Sequence, residues 1–458
     1  MKKFTLSGNQ QHNLTVQQQA VVDSNEPTVI VNAVAGSGKT ATLMHLATRY
    51  RKGIYLAFNK AIVKDVVPKL PIGWQCKTFN AFGLAMTKKH YPYASVNFNK
   101  YNNLGVHPSA KALVGKHMNM NGNISKDSWK ETCDRFKVPY NFAAEAKDIM
   151  QEGQDNTNVL SGEDMLQYPI DNGWKSEEYE IVLIDECQDL NPQQIAFLTC
   201  IPTKRIVFVG DTNQAIYGFR GSDPYAMDRI REHYSPVEYE LTESFRCPTE
   251  VISTVKHIVP AITSNKTGGQ IDSINGNTDI DFPDECFIIS RTNNNLVKLA
   301  YKFIQENKHF SIGGTFITQL KKDLNRVFYG ANSLTAMRDN VIKQYEKEIT
   351  RAKGHKWSIS GIENKYDSLL AIINVAKSPD DISTFVKNLA MHSDSASCRK
   401  LMTIHAAKGL ETPTVYFIKA DTCDYFKEKT DIQWEKQQED NLYYVACTRA
   451  LDKLVFVK

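Results

Sequence analysis

Short apolar runs without alternation recur along the chain, separated by longer segments of mixed polarity. The runs are rich in Val, Ile and Phe, and they lie at Val29–Val31, Ile54–Phe58, Ile181–Ile184, Arg205–Val209, Cys286–Ser290, Val415–Ile418 and Leu454–Val457. Such runs are typical of strands that a parallel sheet buries on both faces. The pattern predicts two α/β units, with the first four strands in one and the last three in the other.

Two polar stretches interrupt this pattern. Residues 85–176 are rich in Asn, Lys and Tyr and contain helix-like patches at Ser128–Phe136 and Ala143–Gln151. Residues 312–396 have a mainly helical pattern. Connections at the ends of sheet strands can grow without disturbing the core, so we interpret both stretches as insertions.

The length and composition of the chain indicate more than one domain and a reducing compartment. The chain has 458 residues, 42% hydrophobic and 23% charged, which is typical of a soluble protein with more than one domain. The nine cysteines include no Cys-x-x-Cys pair, which favours a reducing compartment and disfavours zinc and iron–sulfur sites. The first residues lack the apolar core of a signal peptide, and no run approaches the roughly 18 apolar residues of a membrane span. We expect a monomer without a membrane partner.

Charge is uneven along the chain. The net charge is only +4, but Lys298 to Tyr366 holds thirteen Lys and Arg against six Asp and Glu. Such a segment is more often a solvated helical face than a binding surface, but it is the part of the chain in which to look for phosphate contacts.

Residues Ala33 to Thr40 read Ala-Val-Ala-Gly-Ser-Gly-Lys-Thr, between the first apolar run and a helix-compatible segment, Ala41–Tyr50. Strand, Gly-rich turn, Lys-Thr and helix is the context of a phosphate-binding loop, although Ala33 replaces the usual first Gly. Lys39 would reach the β- and γ-phosphates, and the Thr40 hydroxyl would bind Mg²⁺. The predicted nucleotide contacts of the loop are Ala35, Gly36, Ser37, Gly38, Lys39 and Thr40. The alternative is a Gly-rich turn with a solvated lysine.

Two adjacent carboxylates, Asp185 and Glu186, follow the apolar run Ile181–Ile184. Asp185 would hold Mg²⁺, and Glu186 would accept a proton from the attacking water as general base. Without the phosphate-binding loop, the same residues would indicate only a loop start or a helix cap.

A glutamine follows the next apolar run. Gln214 lies four residues after Gly210, where the run Arg205–Val209 ends. Its amide can bind both a γ-phosphate and a neighbouring water, so it could report whether the phosphate is present. The alternative is a polar turn closed by aromatic residues.

Ten segments in order carry a resemblance to a known family. They are Leu14–Val21, Ala33–Thr40, Ala57–Ala61, Lys77–Phe82, Asp185–Asp189, Gly210–Asp223, Leu241–Arg246, Ser290–Asn293, Leu401–Glu411 and Tyr443–Ala450. Together they resemble the motifs of the UvrD/Rep/PcrA-type helicases of superfamily 1, which move 3′ to 5′ on single-stranded DNA. Loops of this family commonly carry Ala at the position of Ala33. The variants at Ala57–Ala61 and at Phe245 and Arg246 look closest to the subgroup that includes the eukaryotic F-box helicases.

The resemblance implies further nucleotide contacts. Gln18 would read the adenine, with Gln17 as the alternative. Phe245 would stack on the adenine ring, and Glu411 would touch the ribose.

The resemblance also implies two arginine fingers, Arg246 and Arg449, which would reach the γ-phosphate from the second unit. Phosphoryl transfer needs mainly positioning and charge neutralisation, so arginines that arrive on domain closure would make hydrolysis depend on that closure. The implied mechanism is an inchworm motor.

A single-stranded DNA track is implied as well. Its residues would be Phe58, Thr78, Tyr217, Phe219, Arg220, Asn293 and His405. Aromatic rings stack on any base, and the polar and basic residues contact phosphates without reading sequence. Asn80 departs from the family, in which many relatives carry His. An RNA track is the less favoured alternative.

The implied fold is α/β, with two RecA-like parallel-sheet P-loop domains and mainly helical insertions. The predicted division is a first RecA-like domain at 1–84 plus 177–240, its helical insertion at 85–176, a second RecA-like domain at 241–311 plus 397–458, and its reduced insertion at 312–396. The stretch from Asn293 to Thr403 is much shorter than in typical relatives.

The implied activity is that of an ATP- and Mg²⁺-dependent DNA helicase that moves 3′ to 5′ and unwinds duplex at single-strand/double-strand junctions. It would act in replication, repair or recombination beside proteins of those pathways, in the cytoplasm of a bacterium or a phage-infected cell. The first alternative is a translocase that strips proteins from single strands. The second is a nucleotide-gated binding module, against which Glu186 and the two candidate arginine fingers argue.

Overall fold

The computed structural model describes residues 14–103, 107–120, 126–136, 138–218, 222–275, 280–328, 330–354, 360–391 and 399–458. The chain divides into two compact units, Met1–Thr242 and Glu243–Lys458, called here the first and the second unit. Each is a mixed α/β unit built on a parallel sheet, which confirms the predicted fold class. The finer division into two domains and two insertions stays a prediction.

The first unit contains strands and helices in the order expected of an α/β domain. Its strands within the described residues are β1 Thr28–Ala33, β2 Gly53–Ala57, β3 Gln75–Thr78, β4 Ser95–Val96, β5 Val159–Leu160, β6 Ile181–Ile184, β7 Ile206–Gly210 and β8 Val237–Leu241. Its helices there are α1 Val16–Asp23, α2 Lys39–Ala47, α3 Lys60–Val66, α4 Phe79–His90, α5 Pro108–Met120, α6 Lys126–Arg135, α7 Ala143–Asp155, α8 Asp164–Asp171, α9 Pro192–Phe197 and α10 Ala226–Tyr234.

Six strands of the first unit form one parallel sheet in the order β3-β2-β6-β7-β1-β8. Val31 of β1 pairs with Val209 of β7, and Leu183 of β6 pairs with Val207 of β7. The carboxyl ends of β1, β6 and β7 therefore meet at one edge of the sheet, which is where ligands bind in parallel α/β sheets.

Both faces of this sheet are buried, which explains why its apolar runs do not alternate. Val29 and Val31 pack on one face with Leu43 of α2, whereas Ile30 packs on the other face with Phe79 of α4. Successive residues of a strand point to opposite faces, so every position of such a strand must be apolar.

Side-chain caps fix the starts of several helices. Thr15 and Gln18 form a capping box at α1, Asn59 caps α3 and Thr78 caps α4. Each cap satisfies backbone N–H groups that the first helical turn leaves without partners.

Helices α5, α6 and α7 form a small cluster with its own hydrophobic core, which includes Leu113, Trp129 and Ile149. A buried ion pair lies beside this cluster: Lys100 Nζ is 2.7 Å from Asp164 Oδ2, and both side chains are almost fully buried. Tyr101 donates a hydrogen bond to the other carboxylate oxygen. Because both carboxylate oxygens of Asp164 are engaged, this pair is tolerated in the interior.

The second unit is built on another parallel sheet. Its strands within the described residues are β9 Glu243–Pro248, β10 Thr263–Lys266, β11 Gln270–Ile274, β12 Cys286–Ser290, β13 Phe310–Ile312, β14 Arg399–Thr403, β15 Thr412–Ile418 and β16 Ala450–Val457. Its helices there are α11 Thr249–Ser253, α12 Asn293–Gln305, α13 Gly314–Phe328, α14 Leu334–Gly354, α15 Ser360–Val375, α16 Pro379–Met391, α17 Ile404–Ala407, α18 Thr422–Glu428 and α19 Gln433–Cys447. The main sheet has the order β11-β16-β15-β12-β14-β13, and β9 pairs with β10 separately.

Within the described residues, helices α13 to α16 pack into the hydrophobic core of the sheet. Leu320 of α13, Tyr366 of α15 and Leu389 of α16 belong to the same hydrophobic cluster as Ile288 of β12 and Leu401 of β14. The second helical stretch therefore packs as an extension of the sheet core.

Candidate functional site: a phosphate-binding edge and an aromatic pair

The loop between β1 and α2 has the backbone of a phosphate-binding loop. Gly36 and Gly38 have φ angles of 75° and 80°, which glycine adopts without steric cost. The Val34 amide donates to the Leu241 carbonyl at 2.9 Å and so fixes the start of the loop to β8.

Three features of this loop fit a bound triphosphate. The Ser37 hydroxyl oxygen is buried and has no hydrogen-bond partner within the described residues. Lys39 begins α2, so the N–H groups of a helix N-terminus face the loop. Thr40 follows in the first turn of α2 and is half-buried.

Gln18 fastens helix α1 to the loop. Its side-chain nitrogen donates to the Ser37 carbonyl at 2.9 Å, and its oxygen accepts from the Thr15 amide at 3.0 Å. A Cβ atom on Gly38 would lie only 2.6 Å from the Gln18 nitrogen, so this contact requires glycine. Gln17 instead binds Thr242 through both atoms of its amide. The choice of adenine reader between the two stays a prediction.

Asp185 lies at the end of β6 and is buried. Tyr55 donates a 2.6 Å hydrogen bond to Asp185 Oδ2. Burial, and then the neighbouring Glu186 carboxylate, raise the pKa of Asp185, while Lys39 opposes the shift. Burial and Asp185 raise the pKa of Tyr55 well above its ordinary value, so Tyr55 stays a donor. A carboxylate held this way beside a lysine is suited to a divalent cation.

Glu186 has a left-handed backbone, with a φ angle of 54°. This conformation is uncommon for residues other than glycine and costs energy, which is typical of functional positions. Gln188 donates a hydrogen bond of 2.6 Å to Glu186 Oε2. The backbone and the side chain of Glu186 are thus both constrained.

A chain of hydrogen bonds links Gln214 to Glu186. Gln214 donates to Asp211 Oδ2 at 2.7 Å, and the Asp211 amide donates to Gln188 Oε1 at 3.0 Å. Gln188 then donates to Glu186. The Asp211–Gln188 hydrogen bond requires the end of β7 to approach the Gln188 side chain closely. Glycine at position 210 permits this approach, because a Cβ atom there would lie 2.5 Å from Gln188 Oε1.

Tyr55, Gln188 and Asp211 were not among the predicted site residues. Gln188 and Asp211 lie inside segments that carry the family resemblance, so a role for both residues could have been predicted from the sequence. Tyr55 lies inside a fully buried strand, where its hydroxyl cannot be told from an ordinary core tyrosine.

Two predicted DNA contacts form an aromatic pair. The rings of Phe58 and Tyr217 are parallel within 11°, with their centroids 5.9 Å apart. Tyr217 lies three residues after Gln214, so the pair adjoins the hydrogen-bond chain. Phe219 and Arg220 lie outside the described residues.

The far end of the Tyr217 segment is anchored by Asp223. This buried carboxylate binds Arg229 of α10 and is 3.5 Å from Arg135 of α6. Arg135 also donates to the Ser222 carbonyl at 3.1 Å. Helix α6 therefore holds Ser222 and Asp223, whereas Gln214 is held at the acidic edge, which we define as the carboxylates Asp185, Glu186 and Asp211 at the ends of β6 and β7.

The start of α4 contains two residues of the resemblance. The Thr78 hydroxyl accepts from the Ala81 amide at 3.2 Å. Asn80 donates its side-chain N–H to the Gly162 carbonyl at 2.8 Å, so the residue that departs from the family contacts the protein itself.

In the second unit, Arg246 and Glu411 form an ion pair of 2.6 Å. Phe245 beside Arg246 is 37% exposed. Cys247 donates to the Thr448 carbonyl at 3.5 Å across 201 residues of sequence. This contact brings the segments of the two candidate arginine fingers together.

Arg449 is fully buried. Its guanidinium donates to the carbonyls of Val445 and Leu410, at 2.9 and 3.1 Å, and to the Thr448 hydroxyl at 3.1 Å. The segment of Leu410 and Glu411 thus contacts both arginines, because Glu411 holds Arg246.

The last two predicted DNA contacts lie at helix starts in the second unit. Asn293 is the first residue of α12, and its amide donates to Asn364 Oδ1 at 2.9 Å. His405 lies in the short helix α17 and is half-buried.

Within the described part of the chain, no group of three or more His, Cys, Asp or Glu side chains could hold a metal ion by itself. A cation at Asp185 would therefore depend on other ligands, such as Thr40 and phosphate oxygens. No helix within those residues is long and apolar enough to cross a membrane.

The fold and the edge at β1, β6 and β7 define a P-loop protein of the RecA-like class. Residues 140–235 match the UvrD/REP helicase N-terminal domain family, and residues 256–458 match the UvrD-like helicase C-terminal domain family. The two matches together cover more than half of the chain, and the chain belongs to the UvrD-like helicase family.

Curated relatives are similar at low identity. F-box DNA helicase 1 of Gallus gallus is 26% identical over 95% of this chain and 48% of its own length. F-box DNA helicase protein 1 of Schizosaccharomyces pombe is 23% identical over 96% of this chain and 57% of its own length. The mitochondrial ATP-dependent DNA helicase HMI1 of Saccharomyces cerevisiae is 25% identical over 54% of this chain and 40% of its own length. The chain spans about half the length of the curated relatives it matches.

Proposed function

We propose that this chain is an ATP-driven DNA helicase that moves 3′ to 5′ on single-stranded DNA and unwinds duplex at junctions. The observation that carries the proposal is the hydrogen-bond chain from Gln214 through Asp211 and Gln188 to Glu186. It connects the acidic edge beside the phosphate-binding loop to the segment that bears Tyr217. Such a connection is what DNA-stimulated ATP hydrolysis requires.

ATP would bind at the loop of Gly36, Ser37 and Gly38, with Lys39 on its β- and γ-phosphates. Thr40 and Asp185 would hold Mg²⁺, which neutralises phosphate charge. Glu186 would accept the proton of the attacking water, because its carboxylate is fixed by Gln188 and by its own constrained backbone.

Arg246 and Arg449 would supply positive charge to the γ-phosphate. The Glu411 side chain that holds Arg246 is about half exposed, and exposed ion pairs contribute little, so a triphosphate could replace that partner. Arg449 would first have to exchange its carbonyl partners. Phe245 would stack on adenine and Glu411 would then contact the ribose.

The single-stranded track would run over Phe58 and Tyr217 in the first unit and over Asn293 and His405 in the second. Stacking on aromatic rings is worth about 1–3 kcal/mol per base and tolerates every base. Binding should therefore depend weakly on sequence and strongly on salt. Replication or repair proteins would be the partners of such a motor.

A second candidate is a translocase that strips proteins from single strands without processive unwinding. Within the described residues, helices α13 to α16 share the sheet core of the second unit, which favours this candidate because they could contact duplex phosphates but could not move onto the duplex as a separate domain.

Assays of ATP hydrolysis and strand separation on 3′-tailed, 5′-tailed and blunt DNA test the proposal. We expect DNA-stimulated phosphate release and unwinding of 3′-tailed DNA alone. Stimulated hydrolysis and displacement of a bound protein without strand separation would support the translocase. The control is Glu186→Gln, which keeps the side-chain volume and should lower kcat at least a hundredfold, as loss of a general base typically does. Near-normal hydrolysis by Glu186→Gln or Lys39→Ala would refute the site.

A further inference from the structure

The first unit exposes an aromatic ring that has no role in the site above. Phe98 follows β4 and is 73% exposed. Both ends of its turn are anchored to the protein, so the ring is presented from a fixed position.

Four interactions anchor the turn. The Asn97 amide donates to the Leu160 carbonyl at 2.9 Å, which continues the pairing of β4 with β5. The Asn99 amide donates to Asn97 Oδ1 at 2.9 Å, and the Lys100 amide donates to the Asn97 carbonyl at 3.0 Å. Lys100 is then fixed by its buried ion pair with Asp164.

The turn places Phe98 beside the start of α4. A Cβ atom on Gly162 would lie 3.4 Å from the Phe98 ring and 3.3 Å from the Asn80 side-chain nitrogen. Asn80 and Phe98 therefore flank the same glycine. Asn80 is two residues after Thr78, a predicted DNA contact, so the ring adjoins the proposed track.

Asn80 and Phe98 offer different chemistry at this position. The Asn80 amide donates to the Gly162 carbonyl, which directs it into the protein. The exposed ring of Phe98 offers an apolar plane, which is the surface on which an unpaired base stacks.

We propose that Phe98 is a further single-stranded DNA contact, a stacking platform for one base at the Thr78 end of the track. The inference rests on the proposed function, because it extends the same DNA-binding surface. It assigns to the first insertion a direct contact with the single strand.

Binding of fluorescein-labelled oligothymidine, followed by anisotropy at fixed salt, tests this contact. Phe98→Ala should weaken binding about tenfold, within the range of a lost base stack, and Phe98→Trp should retain affinity. The matched control is Tyr93→Ala, which removes an aromatic side chain that is 97% exposed and precedes β4. Tyr93→Ala should bind as the unchanged protein does.

An abasic strand separates stacking from a general effect on the surface. On a strand of abasic sites, the unchanged protein and Phe98→Ala should bind equally, because there is no base to stack. The proposal is overturned if Phe98→Ala binds oligothymidine as tightly as Tyr93→Ala does, in which case the exposed ring would be a contact for a protein partner. It is also overturned if Phe98→Ala binds the abasic strand more weakly than the unchanged protein does. Failure of the unchanged protein to bind oligothymidine would instead refute the proposed function.

Discussion

At the scale of single residues, Glu186, the proposed general base, is constrained in both its backbone and its side chain. Its backbone lies in the left-handed region, and Gln188 holds its carboxylate. Gln188 is buried, and both ends of its amide are used, one by Glu186 and the other by Asp211. We therefore infer that Gln188 orients Glu186 for its proposed role as general base.

Replacing Gln188 tests this role. Gln188→Met removes both hydrogen bonds and keeps the side-chain length, so kcat for ATP hydrolysis should fall about 10- to 100-fold, since a hydrogen bond to a charged group contributes about 1.5–3 kcal/mol. KM for ATP should stay within about twofold, because the phosphate-binding loop is not altered.

A matched variant is Gln188→Glu, which places a like charge beside Glu186 and should lower kcat further. Steady-state kinetics with and without DNA would measure both. A raised KM with unchanged kcat would show that Gln188 serves nucleotide binding and does not orient Glu186.

At the scale of elements, the strands with continuous apolar runs were predictable and the polar ones were not. Ile181–Ile184 and Cys286–Ser290 match β6 and β12 residue for residue, because burial on both faces forces every position to be apolar. Strands β3 and β8 were missed: they are the two edge strands of their sheet, β3 half-buried and β8 largely exposed. An edge strand carries polar residues, which are common in loops as well.

The site was predictable to the extent that its residues lie in contiguous motifs. Lys39, Asp185, Glu186 and Gln214 carry their chemistry in local sequence, and β-strand order brings their segments to one edge. The partners that orient them were missed, since contacts such as Tyr55 to Asp185 span 130 residues and depend on register.

Helix α5 contains a buried histidine, His117, whose protonation we expect to weaken its packing against α6. His117 is fully buried and stacks on Trp129, with the ring centroids 3.5 Å apart. Burial lowers the pKa of His117 to about 4. The fold thus favours neutral His117, while the unfolded chain takes up a proton near pH 6.5.

The stabilising contribution of neutral His117 should be complete above about pH 6.5 and decline as the pH falls towards 4. At about pH 5 we expect a loss of about 2 kcal/mol relative to pH 7, measured by urea unfolding. His117→Phe preserves a ring against Trp129 and should show a shallower pH dependence. Equal pH dependence in both proteins would contradict the prediction.

At the scale of the whole molecule, the basic segment of residues 298–366 includes exposed lysines on helix α14. Lys343 and Lys347 lie one turn apart on α14, and both are exposed. Two cations at this spacing can contact neighbouring phosphates.

Replacing Lys343 and Lys347 by Glu should weaken binding to tailed duplex DNA. The slope of log affinity against log salt should shrink by about two, one for each lost phosphate contact. The control replaces Lys256 and Lys387, exposed lysines of the second unit outside the basic segment, and should leave the slope unchanged. Salt titrations followed by anisotropy would measure the slopes of both variants. If the Lys343 and Lys347 variant had the same slope as the unchanged protein, the segment would be a solvated face without phosphate contacts.

The two helical stretches differ in how they could be exchanged between relatives. Helices α5 to α7 enclose Leu113, Trp129 and Ile149 in a core of their own, so a chimera could receive them as a cassette. Helices α13 to α16 lend Tyr366 and Leu389 to the core beneath β12 and β14, so their removal would open that core. The second unit could therefore exchange its helical stretch only together with changes to its sheet core. In a recombination experiment, helices α13 to α16 should be harder to exchange than helices α5 to α7.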